Sequence, residues 1–545
     1  MDDNAFREAA TASIDEIIKY YASLGGRPVV STVEPGYLRK LLPDAAPEQG
    51  EAWDVIRQDV EDKIVPGLTH WQSPNFFAFF PCPSSYPSIL GELYSATFAA
   101  AAFNWICSPA ITELETVVLD WLAQLLGLPE EYLSTGPTRG GGVIHGTASE
   151  AVMTMMTAAA DKYLRAALAA DHAGFETLSD EEQEDLRAAR RARLVALGGG
   201  TAHSSAKKAA QVLGLRYRSI PAPAANGYAI NGDGLRATLA KVRAAGLEPF
   251  FLSTTFGTTD TCAVDDFASI ADVLDADLAA QVAAGRDAAA SDIWVHVDGA
   301  YAGSALVAPE TRATMCPAPR DPADPNSEPT GTAVLRRFHS FNMNMHKWLL
   351  TNFDCSCAFV RDRRWLVDAL GADAHYYKND YSDGGLVTDY RDWQLPLGRR
   401  FRSLKAWFVL RTYGGEGLRA YIRRSISLGE RFADSLKARP DLFEIITGPQ
   451  FALTVFRAAK RTPDEPLEVT SARTRRVCEL VNGGGKIWVT GTTLEGNTAA
   501  IRVMTGNFST HTEHVDGASK IFVETAEKVL AEEKTKSSES LNKQF

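Results

Sequence analysis

Apolar residues recur at helical spacing over residues 3–24, where Phe6, Ile14, Ile17, Ile18 and Tyr21 mark one side of an amphipathic helix. A Pro/Gly-rich stretch from Gly25 to Pro47 then breaks the pattern. Residues 112–126 read as a second helix, with Leu114, Val117, Val118, Trp121 and Leu122 turned inward and Gly127 and Pro129 ending it. Further on the rhythm changes. The glycine run 140–142 leads into a helix opened by Gly146-Thr147-Ala148-Ser149-Glu150. Pro249-Phe-Phe-Leu-Ser-Thr254 and Ile293-Trp-Val-His-Val-Asp298 read as buried strands. Near-continuous apolar runs separated by helices predict an α/β domain with a mainly parallel sheet. Near the C-terminus, Ala452-Leu-Thr-Val-Phe-Arg457 and Ile501-Arg-Val-Met504 bracket helical segments, which predicts a smaller α+β domain. The expected organisation is an N-terminal helical segment over 1–85, a large domain over 86–404 and a small domain over 405–545.

Three segments read as surface additions. The highly charged residues 176–196 predict a solvated helix, residues 316–331 with five prolines a long loop, and the polar residues 532–545 a frayed tail. The chain shows no internal repeats.

Composition narrows the class without naming the chemistry. At 545 residues the chain is too long for one simple core. A net charge of −12 argues against nucleic acid or an anionic membrane as the main partner. The most apolar stretch, Thr97 to Ile111, is too short to span a bilayer and is interrupted by Asn104 and Pro109. The start, Met1-Asp-Asp-Asn, has neither a basic nor an apolar leader region. Seven cysteines without framework spacing predict reduced thiols, and with them a cytoplasmic protein. Cys355 and Cys357 form C-x-C rather than C-x-x-C, and no zinc or calcium motif is present.

The candidate chemistry begins at His346-Lys347-Trp348. A histidine–lysine pair alone says little. It gains weight because Asp298 ends an apolar strand upstream, and ligands of parallel α/β sheets sit beyond the carboxyl ends of strands. A carboxylate there pairs with a cationic ring nitrogen, and a lysine on a later turn forms an imine with an aldehyde. Those are the two groups that pyridoxal 5′-phosphate (PLP) requires. The helix start at Thr147, Ala148 and Ser149 offers free backbone N–H groups and hydroxyls to a phosphate, with Ser340 and Asn344 as further donors. Taken singly, Asp298 reads equally well as a turn former, and the helix start as an ordinary cap.

The set becomes specific in its motifs. They are Phe76-Phe-Ala-Phe-Phe-Pro81, Ser108-Pro-Ala-Ile-Thr-Glu-Leu-Glu-Thr116, Gly141-Gly-Val-Ile-His-Gly-Thr-Ala-Ser-Glu-Ala151 and Ala202-His-Ser-Ser205. They continue with His296-Val-Asp-Gly-Ala-Tyr-Ala-Gly-Ser304, Ser340-Phe-Asn-Met-Asn-Met-His-Lys-Trp-Leu-Leu350 and the stretch from Thr388 to Lys405. In these, over about residues 66–425, the chain resembles the group II PLP decarboxylases, and within them the aromatic L-amino-acid decarboxylases.

The resemblance implies a PLP-dependent transferase fold of type I and a homodimer with a shared active site. It implies decarboxylation of aromatic L-amino acids, tryptophan, tyrosine, phenylalanine or hydroxylated forms, to arylalkylamines. Lys347 matches the imine-forming lysine, Asp298 the ring-nitrogen partner and His203 the histidine stacked on the cofactor. Ala148, Ser149 and Asn344 match phosphate positions, and Thr259 a threonine near the cofactor. Tyr376, followed by Tyr377, matches a tyrosine on a catalytic loop that gives a proton to the substrate's α-carbon; relatives with phenylalanine there divert the reaction with oxygen to an aldehyde. A phenol delivers a proton and a phenyl ring does not. Trp71, Phe79, Phe80 and Pro81 match one wall of the substrate pocket, and Phe103 a residue reaching in from the partner subunit. His346 matches a substrate-carboxylate contact. Gly398 stands where histidine- and tyrosine-specific members tend to carry serine, which favours indole-sized rings. Phe79 replaces the usual tyrosine of animal enzymes, Met345 replaces proline, and extra residues separate Thr259 from Asp298 and Asp298 from Lys347.

Three rival expectations stay beside this one. They are an aromatic aldehyde synthase on the same scaffold, a decarboxylase of histidine or acidic amino acids, and a non-catalytic PLP-fold binding protein.

Overall fold

Seven strands of the central segment share one sheet. They are β1 (Gly141–His145), β2 (Leu194–Gly199), β3 (Arg216–Ile220), β4 (Glu248–Thr255), β5 (Trp294–Asp298), β6 (Ser340–Asn344) and β7 (Ser356–Val360), ordered β1-β7-β6-β5-β4-β2-β3. The computed structural model describes residues 1–317, 331–371, 381 and 387–542. Strands β2 to β6 pair in parallel, and β7 runs antiparallel to both its neighbours, β6 and β1. Every residue of β2, β4, β5 and β6 is buried. Burial on both faces is why β2 and the middle of β4 read as apolar runs, whereas β6, Ser-Phe-Asn-Met-Asn, alternates and keeps its buried polar residues on one face.

This topology collects chain ends on one edge of the sheet. The carboxyl ends of β2, β4, β5 and β6 lie together because the strands are parallel. Strand β1 joins them because two antiparallel steps through β7 restore its direction. At this edge Asp298 is level with Thr255 on one side and Asn342 on the other. Ser356 is level with both His145 and Asn344. Behind the sheet, Val152, Met155, Met156 and Ala159 of the helix Ala148–Asp171 pack with Phe251, Trp294 and Ala358.

Two expectations about elements need correction. The second helix spans Pro109–Leu126 and ends at Gly127, whose φ of 71° suits a residue without a side chain. Its buried face is Ile111, Glu115, Val118, Leu119, Leu122 and Leu126, whereas Val117 and Trp121, expected inside, are 42% and 41% exposed. The stripe is rotated because a charged residue sits on it. Glu115 accepts the Ile144 N–H at 2.8 Å and pairs with buried Arg399. The charged segment 176–196 is helical only over Asp180–Arg191, opened by a capping box between Ser179 and Glu182, and β2 begins at Leu194.

The described chain divides into two compact units, Pro83–Arg424 and a second made of Met1–Cys82 with Ser425–Phe545. The first holds the seven-stranded sheet. The second holds an antiparallel sheet of β8 (Phe443–Gln450), β9 (Leu453–Ala458), β10 (Thr490–Leu494) and β11 (Thr498–Met504), ordered β10-β11-β9-β8. Phe432, Phe443, Phe456 and Phe522 form its aromatic core. The helix Asp3–Ser23 belongs to this unit and starts where the Asp2 carboxylate accepts the Ala5 N–H at 2.9 Å. Its Phe6, Ile14 and Ile18 are exposed. Among the described residues no helix is long and apolar enough to cross a membrane.

Candidate active site

Lys347 stands on the short helix Met345–Trp348, directly after β6, with Met345, His346 and Trp348 buried around it. Burial pushes its ammonium pKa down, and the negative charge of Asp298 pulls the other way. Asp298 closes β5 and its Oδ1 accepts the Ala300 N–H at 3.0 Å. His203 follows β2. Burial lowers its pKa, Asp298 raises it and Lys347 lowers it. Three residues far apart in sequence therefore share one electrostatic neighbourhood at the carboxyl edge. His203 Nδ1 accepts the Ser205 N–H at 3.2 Å, so the neutral ring carries its proton on Nε2.

The helix Ala148–Asp171 starts at the same edge, after β1. Thr147 caps it by accepting the Glu150 N–H at 3.2 Å. The N–H groups of Ala148 and Ser149 lie in the first turn, where no intrahelical acceptor exists. Asn344, level with His145 across β7, has a buried side-chain oxygen with no partner among the described residues. Thr259 is half-buried beside Thr258, whose Oγ1 accepts the Ala263 N–H at 2.9 Å. Ser340 departs from expectation. It begins β6 instead of ending it, and its hydroxyl is engaged at 2.8 Å with both Trp294 Nε1 and His296 Nδ1. A hydroxyl committed there, fully buried and four residues short of the edge, is not a phosphate donor.

The expected substrate residues fall into two groups. In the unit containing both termini, Trp71 stacks on Phe79 with centroids 5.5 Å apart, and Trp488 meets Phe79 and Phe76 edge-on. Phe79 adopts φ 51° and is 42% exposed, Pro81 is buried, and Arg502 lies over the Phe80 ring at 5.3 Å. In the other unit, Phe103 accepts the Arg391 N–H through its carbonyl at 3.1 Å. His346 accepts the Cys355 N–H on Nδ1 at 2.8 Å, and burial pushes its pKa down to about 3. It is therefore a neutral donor through Nε2. A side chain built at Gly398 would meet nothing within 4 Å. Tyr376 and Tyr377 lie outside the described residues.

Sequence reasoning missed two residues. Trp488 completes the aromatic cluster but sits in an ordinary apolar run. Asp265 is buried where it accepts the Ile230 N–H at 3.0 Å and the Thr255 N–H at 2.7 Å, tying down the end of β4, and burial raises its pKa to about 7. A second acidic residue beside it, Asp266, hid it among surface-type charges.

A model of the pyridoxal-dependent decarboxylase conserved domain matches residues 35–459. The chain belongs to that family. Phenylacetaldehyde synthase of Arabidopsis thaliana is 41% identical over 533 residues, 97% of each chain. Tyrosine decarboxylase 2 of Narcissus pseudonarcissus is 40% identical over 534 residues, 97% of this chain and 96% of the relative. The solved structure of Oryza sativa TDC with PLP and tryptamine is similar with a TM-score of 0.84 at 34% identity, covering 97% of this chain and 99% of the other.

In this pyridoxal-dependent decarboxylase the cofactor is PLP, and the described residues fit it by their chemistry. The fold offers a lysine whose charged form is disfavoured, a carboxylate at a strand end and unspent N–H groups at a helix start, all on one edge of one sheet.

Proposed function

We propose that this protein decarboxylates aromatic L-amino acids, tryptophan among them, to the corresponding arylalkylamines and carbon dioxide. The observation that carries the reading is the convergence of Lys347, Asp298 and His203 at the carboxyl edge. Lys347 anchors the cofactor's aldehyde, Asp298 holds its ring nitrogen and His203 covers its ring. Thr147, Ala148, Ser149 and Asn344 hold the phosphate, with Thr259 nearby. When bound, PLP supplies the electron sink for the pair left on the α-carbon as carbon dioxide departs.

The protein's own residues do the rest. His346, neutral and donating through Nε2, directs the substrate carboxylate without forming an ion pair that would hold it back. Tyr376 gives its hydroxyl proton to the α-carbon, completing a reaction that consumes one proton overall. The Trp71–Phe79 stack, with Phe80 and Pro81, offers flat apolar surface to an aryl ring, and Phe103 is assigned, from the resemblance, to the site of the partner subunit. Glycine at position 398, where histidine- and tyrosine-specific members tend to carry serine, favours the larger indole. We carry the protein as a cytoplasmic homodimer with a shared active site, its segment 1–85 serving dimerisation, a reading supported by the exposed Phe6, Ile14 and Ile18.

A second reading, aromatic aldehyde synthesis, is favoured by the 41% identity to phenylacetaldehyde synthase. One experiment separates the two. PLP-loaded protein is given tryptophan, tyrosine or phenylalanine, and amine, aldehyde, hydrogen peroxide and ammonia are measured. The expected result is amine with peroxide and ammonia at background, and a shift towards aldehyde, peroxide and ammonia in Tyr376→Phe. Stoichiometric peroxide from the unaltered protein would overturn the first reading and establish the second.

A further inference from the structure

Below the carboxyl edge, four side chains on β5 and β6 form one continuous line of hydrogen bonds. Trp294 Nε1 donates to Ser340 Oγ at 2.8 Å. Ser340 Oγ lies 2.8 Å from His296 Nδ1, and His296 Nε2 lies 2.8 Å from Asn342 Oδ1. All four residues are fully buried.

The direction of the line follows from donor chemistry. An indole N–H only donates, so Ser340 Oγ accepts from Trp294. The serine proton then goes to His296 Nδ1, its neighbour in the line. A neutral imidazole has one proton, which must sit on Nε2 and donate to Asn342 Oδ1. The reverse direction would leave the serine proton without an acceptor in the line. Burial holds His296 at about 4, against the opposing pull of Asp298, so the ring stays neutral through the working range. The oxygen of the Asn342 amide is thereby fixed on the histidine, and its NH2 group points elsewhere.

That NH2 group is buried and has no partner among the described residues. Asn342 is the register partner of Asp298 on the adjacent strand. Residues two apart on a strand share a face, so His296 and Asp298 on β5, and Ser340 and Asn342 on β6, project to the same side. The hydrogen bonds between His296 and both β6 residues bear this out. A buried donor without an acceptor is costly. Asp298 stands opposite it in the register of the neighbouring strand, on the same face, and the two side chains are not hydrogen-bonded in this structure.

We propose that Trp294, Ser340, His296 and Asn342 form a one-way relay that presents the Asn342 amide N–H to the Asp298 carboxylate, making them positioning residues for Asp298. The inference rests on the reading that Asp298 holds the ring nitrogen of PLP. It also gives Ser340 a role in place of the phosphate contact that its sequence position suggested.

A double-mutant cycle tests it, read as the dissociation constant of PLP titrated into apo-protein, with the apo-protein melting temperature as a folding control. Ser340→Ala, which cuts the line, is expected to weaken PLP binding by about tenfold, the scale of one hydrogen bond to a charged group. Ser340→Thr keeps the hydroxyl and restores binding to within about twofold. In an Asp298→Asn background, Ser340→Ala should cost less than about twofold, because the carboxylate it serves is gone. An equal loss in both backgrounds would overturn the relay while leaving the role of Asp298 intact. Unchanged PLP binding in Asp298→Asn alone would overturn that role, and the relay with it. Nitrogen-15 NMR of histidine-labelled apo-protein supplies a measurement that needs no variant to fold. His296 should be protonated on Nε2 at pH 7, and a proton on Nδ1 would overturn the proposal.

Discussion

Glu115 and Arg399 show what a single buried charge does to the reading of a sequence. Both are about 1% exposed, and they pair with each other. Glu115 also holds the helix Pro109–Leu126 against β1 through the Ile144 N–H, while Arg399 stacks over the Tyr390 ring at 4.6 Å. Removing one partner strands the other in a place without water. Arg399→Met is therefore expected to destabilise the protein by about 3–5 kcal/mol in urea unfolding, with Glu115→Leu in the same chain recovering much of the loss. Lys347 and Asp298 stood out in the sequence only as a pair, and His203 only through its motif; the sheet brings the three into one electrostatic neighbourhood. Ser340 was misread because a hydroxyl's partner is set by the adjacent strand, and Trp294 and His296 are 46 and 44 residues away in sequence.

At the scale of elements, the strands were legible and the faces of helices less so. Continuous apolar runs marked β4, β5, β9 and β11 to within a few residues, because burial on both faces leaves little room for polar side chains. Strand β2 was absorbed into a charged helix, since Leu194 follows Arg193 without a turn residue. Close approach between helices also escapes periodicity. The helix Tyr86–Thr97 meets the helix Arg402–Lys437 at Gly91, where an added Cβ would lie 2.4 Å from the Lys405 Cα. Backbone cannot yield as a flexible side chain would. Gly91→Ala is expected to cost about 1–3 kcal/mol by overpacking, seen as a lower thermal midpoint, and to loosen the 2.5 Å contact of Lys405 Nζ with Glu92.

Across the whole molecule, buried ionisable groups make stability depend on pH in a calculable direction. His296, His339 and His346 are held at about 4, about 4 and about 3, below the ordinary histidine value, so the unfolded chain binds their protons first. The stability they contribute is complete above about pH 6.5 and drains away as pH falls towards 4. Asp265, raised to about 7, works the opposite way: its contribution is complete below about pH 4 and is lost as pH rises towards 7. Three groups outweigh one. Unfolding free energy should fall by on the order of 3 kcal/mol from pH 7 to pH 5, and more steeply in Asp265→Asn, which removes the opposing group. A flat or rising profile would show that the histidines are solvated. At this scale the sequence announced more than one core from length alone, but not that the two chain termini would share a unit, because that depends on contacts hundreds of residues apart.

The position of β7 has one more consequence. Ser356 pairs with His145 on one side and Asn344 on the other, so a single short strand is the ruler between the helix start after β1 and the lysine after β6. The two attachment points are separated by two strand widths, roughly 10 Å, although nearly two hundred residues of chain run between them. Lengthening or shortening that intervening chain leaves the ruler untouched. Such a frame tolerates inserted segments between Asp298 and Lys347 while the grip on a small rigid molecule keeps its span.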